Sequence, residues 1–223
     1  MSRPRAVAGR GAAFLLIAAA AAALAGCGSG YSGAGAASTP PAAAASSDSG
    51  LHGMVPTPLP PKPAFMLTNT AGHAFRFGPA TRGKLTYLFF GYTHCPDVCP
   101  ATMSFLAAAI HAQPAAVRRN IAVVFVTVDP ARDTGPVIRR WLNHYSSSFV
   151  GLTGSEAEIA AVERDAGIPV APPAQRSPSA TYTVSHSSFL MAYSPDDRAH
   201  VLYVSGFKET DYAHDMPLLL RFR

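Results

Sequence analysis

Hydrophobic residues fall into blocks with different periods, and the blocks predict the elements. Residues 11–26 form an uncharged run dominated by Ala and Leu. From Gly28 to Gly50 apolar bulk disappears: 21 of 23 residues are Gly, Ala, Ser, Thr or Pro. After Ala64 the pattern becomes that of a folded domain. Phe65–Thr68 and Ala74–Phe77 flank the turn-rich Asn69-Thr70-Ala71-Gly72, which predicts a β-hairpin. Lys84–Tyr92 and Ile121–Val128 are nearly continuous apolar runs, as expected of strands buried on both faces. Thr102–Gln113 and Thr134–Ser146 read as helices, and Ser155 with Glu158 forms a capping box that opens another, ending at Gly167. Phe149–Leu152, Thr181–Val184, Phe189–Tyr193 and Val201–Val204 read as short strands. Thr210–Phe222 should be a closing helix, kinked or broken at Pro217. Alternating strands and helices imply an α/β fold, a central sheet flanked by helices with an N-terminal β-hairpin.

The N-terminal run is 16 residues long, short of the roughly 20 that a spanning helix needs. Arg3, Arg5 and Arg10 precede it, and small residues end it at Leu24-Ala25-Gly26-Cys27. That is the layout of a secretory signal peptide over residues 1–26. Its ending resembles the lipobox of bacterial lipoproteins, in which the cysteine is lipidated; here that residue is Cys27. The expected location is the outer face of a bacterial cytoplasmic membrane, lipid-anchored at Cys27. Residues 27–63, with five prolines in 51–63, read as a tether, and His52 and Met54 as solvated residues of it. The domain expected to fold is 64–223.

Composition narrows the function. Charged residues are 14% and hydrophobic residues 48%, so a disordered polyelectrolyte is excluded. The net charge of +5 falls to +2 without the three N-terminal arginines, and no basic cluster remains. Nucleic acid is therefore a poor partner.

With Cys27 assigned to lipid, Cys95 and Cys99 remain, in Gly91-Tyr92-Thr93-His94-Cys95-Pro96-Asp97-Val98-Cys99-Pro100. They sit between the first long strand and the first long helix, the order of a thioredoxin-like fold. Four residues apart at a helix start, their side chains can meet, and the helix amides favour thiolate. Three readings stay open: a structural disulfide, a redox couple, or a metal site needing a third ligand, for which two thiolates favour copper(I) or zinc. His94 adjoins the pair. His111 and His144 fall on predicted helix surfaces, and His73, His200 and His214 in turns. His186 lies in the loop after Thr181–Val184, which in this topology approaches the first long helix. A peroxidase is disfavoured, because Tyr92 occupies the place where a threonine precedes the reactive cysteine in peroxiredoxin-like sites. Asp133, just before Thr134, reads as a helix cap, with Asp129 beside it.

The cysteine stretch resembles the signature of the Sco/SenC proteins, copper-binding assembly factors for the dinuclear copper site of cytochrome c oxidase. The likeness continues through Val126–Thr134, Phe149–Gly154 and Tyr182–Ser187, covering roughly residues 64–220. It implies a thioredoxin-like fold and a copper site of Cys95, Cys99 and His186, binding copper(I) and also copper(II). It implies a membrane-tethered copper chaperone whose partner is the copper-bearing oxidase subunit. The alternative is a thiol–disulfide reductase, with Cys95 and Cys99 as the redox-active catalytic pair, keeping that subunit's cysteines reduced. Further partners would be other copper carriers or thiol reductants. Members of the family commonly carry an acidic residue where this chain has Ser185.

Overall fold

The computed structural model describes residues 49–172 and 182–223. In chain order the elements are β1 (Met66–Asn69), β2 (Ala74–Arg76), α1 (Phe77–Thr81), β3 (Leu85–Gly91), α2 (Val98–His111), α3 (Ala115–Arg118), β4 (Ile121–Thr127), α4 (Gly135–Leu142), β5 (Val150–Thr153), α5 (Glu156–Asp165), β6 (Leu190–Tyr193), β7 (Ala199–Tyr203) and α6 (Glu209–Leu219). The strands make a seven-stranded sheet in the order β2-β1-β5-β4-β3-β6-β7. β3, β4 and β5 run parallel, and the remaining pairings are antiparallel. Among the described residues no helix is long and apolar enough to cross a membrane.

The continuous apolar runs are explained by coverage of both sheet faces. Every position of β3 is buried. Leu85, Tyr87 and Phe89 face a core shared with α2, α4 and α6, whereas Leu88 and Phe90 face a second core shared with α1 and α5. Alternation along the strand serves two layers, so neither face can be polar. β3 therefore delivers its C-terminal end, Gly91, to a point fixed from both sides, and the cysteine loop starts there.

Several elements depart from the sequence expectation. Helix α2 begins at Val98 rather than Thr102, so Cys99 and Pro100 lie in its first turn, where Pro100 forfeits no intrahelical hydrogen bond. Phe77 opens α1 instead of closing a strand. Residues 182–189 form no regular strand, contrary to the strand expected over Thr181–Val184; Thr181 itself lies outside the described residues. His200 sits in β7 and His214 in α6, not in turns. Helix α6 continues through Pro217 rather than breaking. The carbonyl that Pro217 cannot bond, that of Ala213, instead accepts from Gln113 Nε2 at 3.0 Å.

The segment 51–62, expected as solvated tether, lies against the domain as a strap. Met54 and Leu202 exchange two backbone hydrogen bonds, of 3.1 and 2.8 Å, and the Ala199 amide donates to Pro60 O at 2.8 Å. The strap covers the exposed edge of β7, a place where prolines are tolerated because an outer edge needs few donors.

Candidate metal centre

Cys95 lies in the loop after β3 and Cys99 in the first turn of α2; His186 comes from the irregular segment before β6. The three expected residues converge: one ligand atom from each lies within 4.8 Å of the other two. Cys99 Sγ is 3.5 Å from His186 Nε2. In a three-coordinate site with bonds of about 2.0–2.3 Å, neighbouring ligand atoms stand roughly 3.5–4 Å apart. Little movement would bring these donors onto one ion. Both cysteines are free thiols, so the structural disulfide is not formed in this state.

Each donor is oriented by a local interaction. His186 Nδ1 donates to Ser187 O at 2.8 Å. That bond fixes the tautomer and turns the Nε2 lone pair towards Cys99. The ring is packed edge-on against Tyr92 and Phe89, with centroids 5.5 and 6.3 Å away. Cys99 is fully buried against the end of β3, where Gly91 makes room: a β-carbon at 91 would stand 2.7 Å from Cys99 Sγ. Only glycine admits that approach. Asp97, the residue before α2, caps no amide with its side chain. Cys95 Sγ accepts from the Cys99 amide at 3.5 Å and so takes over part of the capping.

This asymmetry splits the two thiols. Cys95 is held well below the usual thiol range, first by a hydrogen bond from the Cys99 side chain, then by His186 and the amides of Cys99 and Asp97, against the opposing effect of burial. Cys99 is pushed up by its bond to the Cys95 thiolate and by burial. At neutral pH the pair therefore carries one proton, on Cys99. A test is the rate of iodoacetamide modification of the metal-free protein. Below about pH 8 an ordinary thiol loses tenfold in rate per pH unit, as protonation removes the nucleophile. Cys95 is expected to hold a nearly constant rate down to about pH 6, because its thiolate persists there. A tenfold fall per unit across that range would contradict the assignment.

Two buried carboxylates hold the loops that carry the donors. Asp133 was expected to cap α4, but Thr134 occupies the cap position without a side-chain bond. Asp133 is fully buried and instead accepts from the Thr93 amide (2.9 Å), Thr93 Oγ1 (2.6 Å) and Thr127 Oγ1 (2.7 Å), pinning the cysteine loop. Asp129 accepts from Tyr182 Oη at 2.8 Å and Arg132 Nε at 2.5 Å. Arg132 in turn donates to Tyr182 O at 3.0 Å and lies 3.6 Å over the Tyr182 ring. The segment 129–133 thus ties down both halves of the site. Thr93, Arg132, Tyr182 and Gly91 were not singled out from sequence; the one signal was a glycine ending an otherwise bulky apolar strand.

The other histidines stay apart from this cluster. His94 is half exposed, and its Nδ1 donates to Thr93 Oγ1 at 3.1 Å. His73, His111 and His144 are exposed, as is Ser185. Cys27 lies outside the described residues.

A sequence profile for the SCO1/SenC family matches residues 57–220. The chain belongs to the SCO1/SenC family. A Stutzerimonas stutzeri protein whose name suggests copper binding is 36% identical over 122 residues, covering 54% of this chain and 59% of that one. The chain spans about half the length of the curated relatives it matches. The structure of Bradyrhizobium japonicum ScoI with copper bound superposes with a TM-score of 0.63 at 29% identity, covering 71% of this chain and 99% of that one. Apo Sco1 from Thermus thermophilus gives 0.68 at 29% identity, over 76% and 97%. The fold is the thioredoxin-like α/β fold of these SCO1/SenC structures, as the element order predicted. Proteins of the SCO1/SenC family handle copper and act in cytochrome c oxidase assembly.

Proposed function

We propose that this SCO1/SenC protein is a copper chaperone, anchored to the outer face of a bacterial cytoplasmic membrane through lipid on Cys27. It binds copper through Cys95, Cys99 and His186 and delivers it to the dinuclear copper site of cytochrome c oxidase. The observation that carries the reading is the convergence of those three donors around one point. Two sulfurs and one imidazole suit copper(I), and the imidazole also supports copper(II). At neutral pH loading would displace the single proton held by Cys99, so metal affinity rises with pH. The copper-bound state of the Bradyrhizobium relative supports the choice of metal.

The split between the thiols favours a second reading, a thiol–disulfide reductase. Cys95 thiolate would attack a disulfide of the oxidase subunit, and Cys99 would then attack Cys95 Sγ. The subunit gains two electrons and leaves as a dithiol, while the protein keeps the disulfide. One experiment separates the readings. The reduced protein, with and without copper(I), is mixed with the soluble copper domain of an oxidase subunit. Copper arriving on a reduced acceptor supports the chaperone. Reduction of an oxidised acceptor by the copper-free protein, with no metal passed to a reduced one, makes the reductase the function.

Asp133 should matter to loading without touching the ion. Asp133→Ala strands three donors, of which Thr127 Oγ1 is buried, and frees the cysteine loop. A loss of about 10–100-fold in copper affinity is expected, the usual scale for groups that orient ligands. Competition against a chromophoric chelator measures it, and an unchanged affinity would remove Asp133 from the account.

A further inference from the structure

The parallel strands separate charge between the two ends of the domain. The segments that follow β3, β4 and β5 lie at the metal end and include Asp97, Asp129, Asp133 and Glu156, against a single arginine, Arg132. The segments that enter the same strands lie at the opposite end and reverse the sign. Arg82 and Lys84 precede β3, Arg118 and Arg119 precede β4, and residues 82–84, 112–120 and 143–149 contain no carboxylate. Neither basic pair is a run in the sequence; the fold gathers them. The Leu85 amide donates to Asn120 O at 2.9 Å, and Leu85 stands opposite Ile121 in the sheet, which sets Lys84 beside Arg119.

Lys84, Arg118 and Arg119 line one cavity of about 310 Å³ together with Thr81 and Ser148, and no acidic residue lines it. Arg118 is held by Nη1, which donates to His111 O and Gln113 O at 3.0 and 3.1 Å. Arg139 adds a fifth cation at this end, donating to Ser146 O and Phe149 O in the loop before β5. Among the described residues none of Arg82, Lys84, Arg118 and Arg119 is paired with a carboxylate. The β6–β7 turn at the same end carries Asp196 and Asp197, but His200 and Lys62 pair with them. Arg82, Arg118 and Arg119 are exposed and Lys84 is half-buried. Cations gathered without counter-charges repel one another, and an anionic surface removes that cost.

We propose that this basic end docks on the anionic phospholipid headgroups of the membrane, with lipid phosphate seated between Lys84, Arg118 and Arg119. The proposal rests on the membrane location argued above. The same surface repels the acidic end, so the metal site faces away from the lipid and towards a partner. Fully extended, the 23 residues from Gly28 to Gly50 span up to roughly 80 Å, against about 23 Å for a seven-residue strand, so their length permits either end to face the membrane and charge selects one.

The test uses the chain from Gly28 onward. It carries no lipid, so its outcome is independent of Cys27 and of copper, and every contact described above lies within 49–223. Sedimentation with phosphatidylcholine vesicles holding about 30% phosphatidylglycerol is compared with pure phosphatidylcholine, at roughly 0.05 and 0.5 M salt. Binding is expected on the anionic vesicles alone and only at low salt. Arg119→Gln should weaken it about fivefold, the usual share of one basic side chain at such a surface. The triple variant Lys84→Gln, Arg118→Gln, Arg119→Gln should bind no better than to neutral vesicles. Lys208→Gln, which removes the same charge between β7 and α6 at the metal end, should leave binding unchanged. Amide exchange should slow on anionic vesicles at residues 82–84 and 116–120, and stay unaltered at 93–97. No binding at low salt, equal binding to neutral vesicles, a triple variant that binds like the unsubstituted chain, or slowed exchange at 93–97 instead overturns the proposal. Tighter binding to double-stranded DNA than to anionic vesicles overturns it as well.

Discussion

Cys99→Ser is expected to lower the copper(I) affinity of the reduced protein by at least about 10³-fold, because a hard hydroxyl replaces a soft thiolate. The position cannot be served by another group. Cys99 is fully buried in the first turn of α2, seated against Gly91, and its sulfur lies 3.5 Å from His186 Nε2. Serine fits the same space, so the change tests chemistry rather than packing. Cys95→Ser should cost a similar amount. His186→Ala should cost less for copper(I), about 10–100-fold, since two thiolates alone still bind that ion, and more for copper(II), which prefers imidazole. Competition titrations in both oxidation states would show this order. A Cys99→Ser protein with wild-type affinity would remove the thiolate pair from the site.

Asp215→Ala is expected to be the most damaging change to the fold. The carboxylate is fully buried and accepts from the His52 and Gly53 amides, Tyr203 Oη and His214 Nδ1. Alanine leaves those donors without that partner, and two of them, the Gly53 amide and Tyr203 Oη, are buried. Breaking such a buried, fully bonded group costs about 3–5 kcal/mol. For a domain of this size that corresponds to a fall in Tm of roughly 10 °C. Tyr203→Phe, which removes a single hydroxyl donor, should cost only about 1 kcal/mol. Urea and thermal unfolding of the metal-free protein measure both, and a small effect of Asp215→Ala would mean that water can reach the orphaned groups.

Parts of this architecture are written locally in the chain. β3 and β4 are legible because a strand covered on both faces must be largely apolar. The first hairpin is legible from Asn69–Gly72, and α5 from the Ser155–Glu158 box, which forms as expected. Cys95, Cys99 and His186 were singled out as a set by resemblance, and the fold brings them together across 87 residues of chain. What local pattern hid was tertiary. The start of α2 was concealed by Pro96 and Pro100, and its capping falls partly to a sulfur atom. Tyr182 has strand-like character, but its hydroxyl, carbonyl and ring are all engaged by Asp129 and Arg132, which leaves the segment before His186 irregular. Asp133 stands where a cap would stand, yet donors from Thr93 and Thr127 claim both its oxygens. The strap's prolines suggested a solvated tether; the carbonyls of Met54 and Pro60 instead accept from the edge of β7, and the pairing of His52 with His214 spans 162 residues that no local motif connects.

The central claim is that Cys95, Cys99 and His186 together hold one copper ion. X-ray absorption on the copper(I)-loaded, reduced protein, with stoichiometry measured on the same samples, tests it most directly. The prediction is one copper per chain bound by two sulfurs and one nitrogen, with the nitrogen lost in His186→Ala and one sulfur lost in Cys95→Ser. Copper coordination left intact by His186→Ala would contradict it.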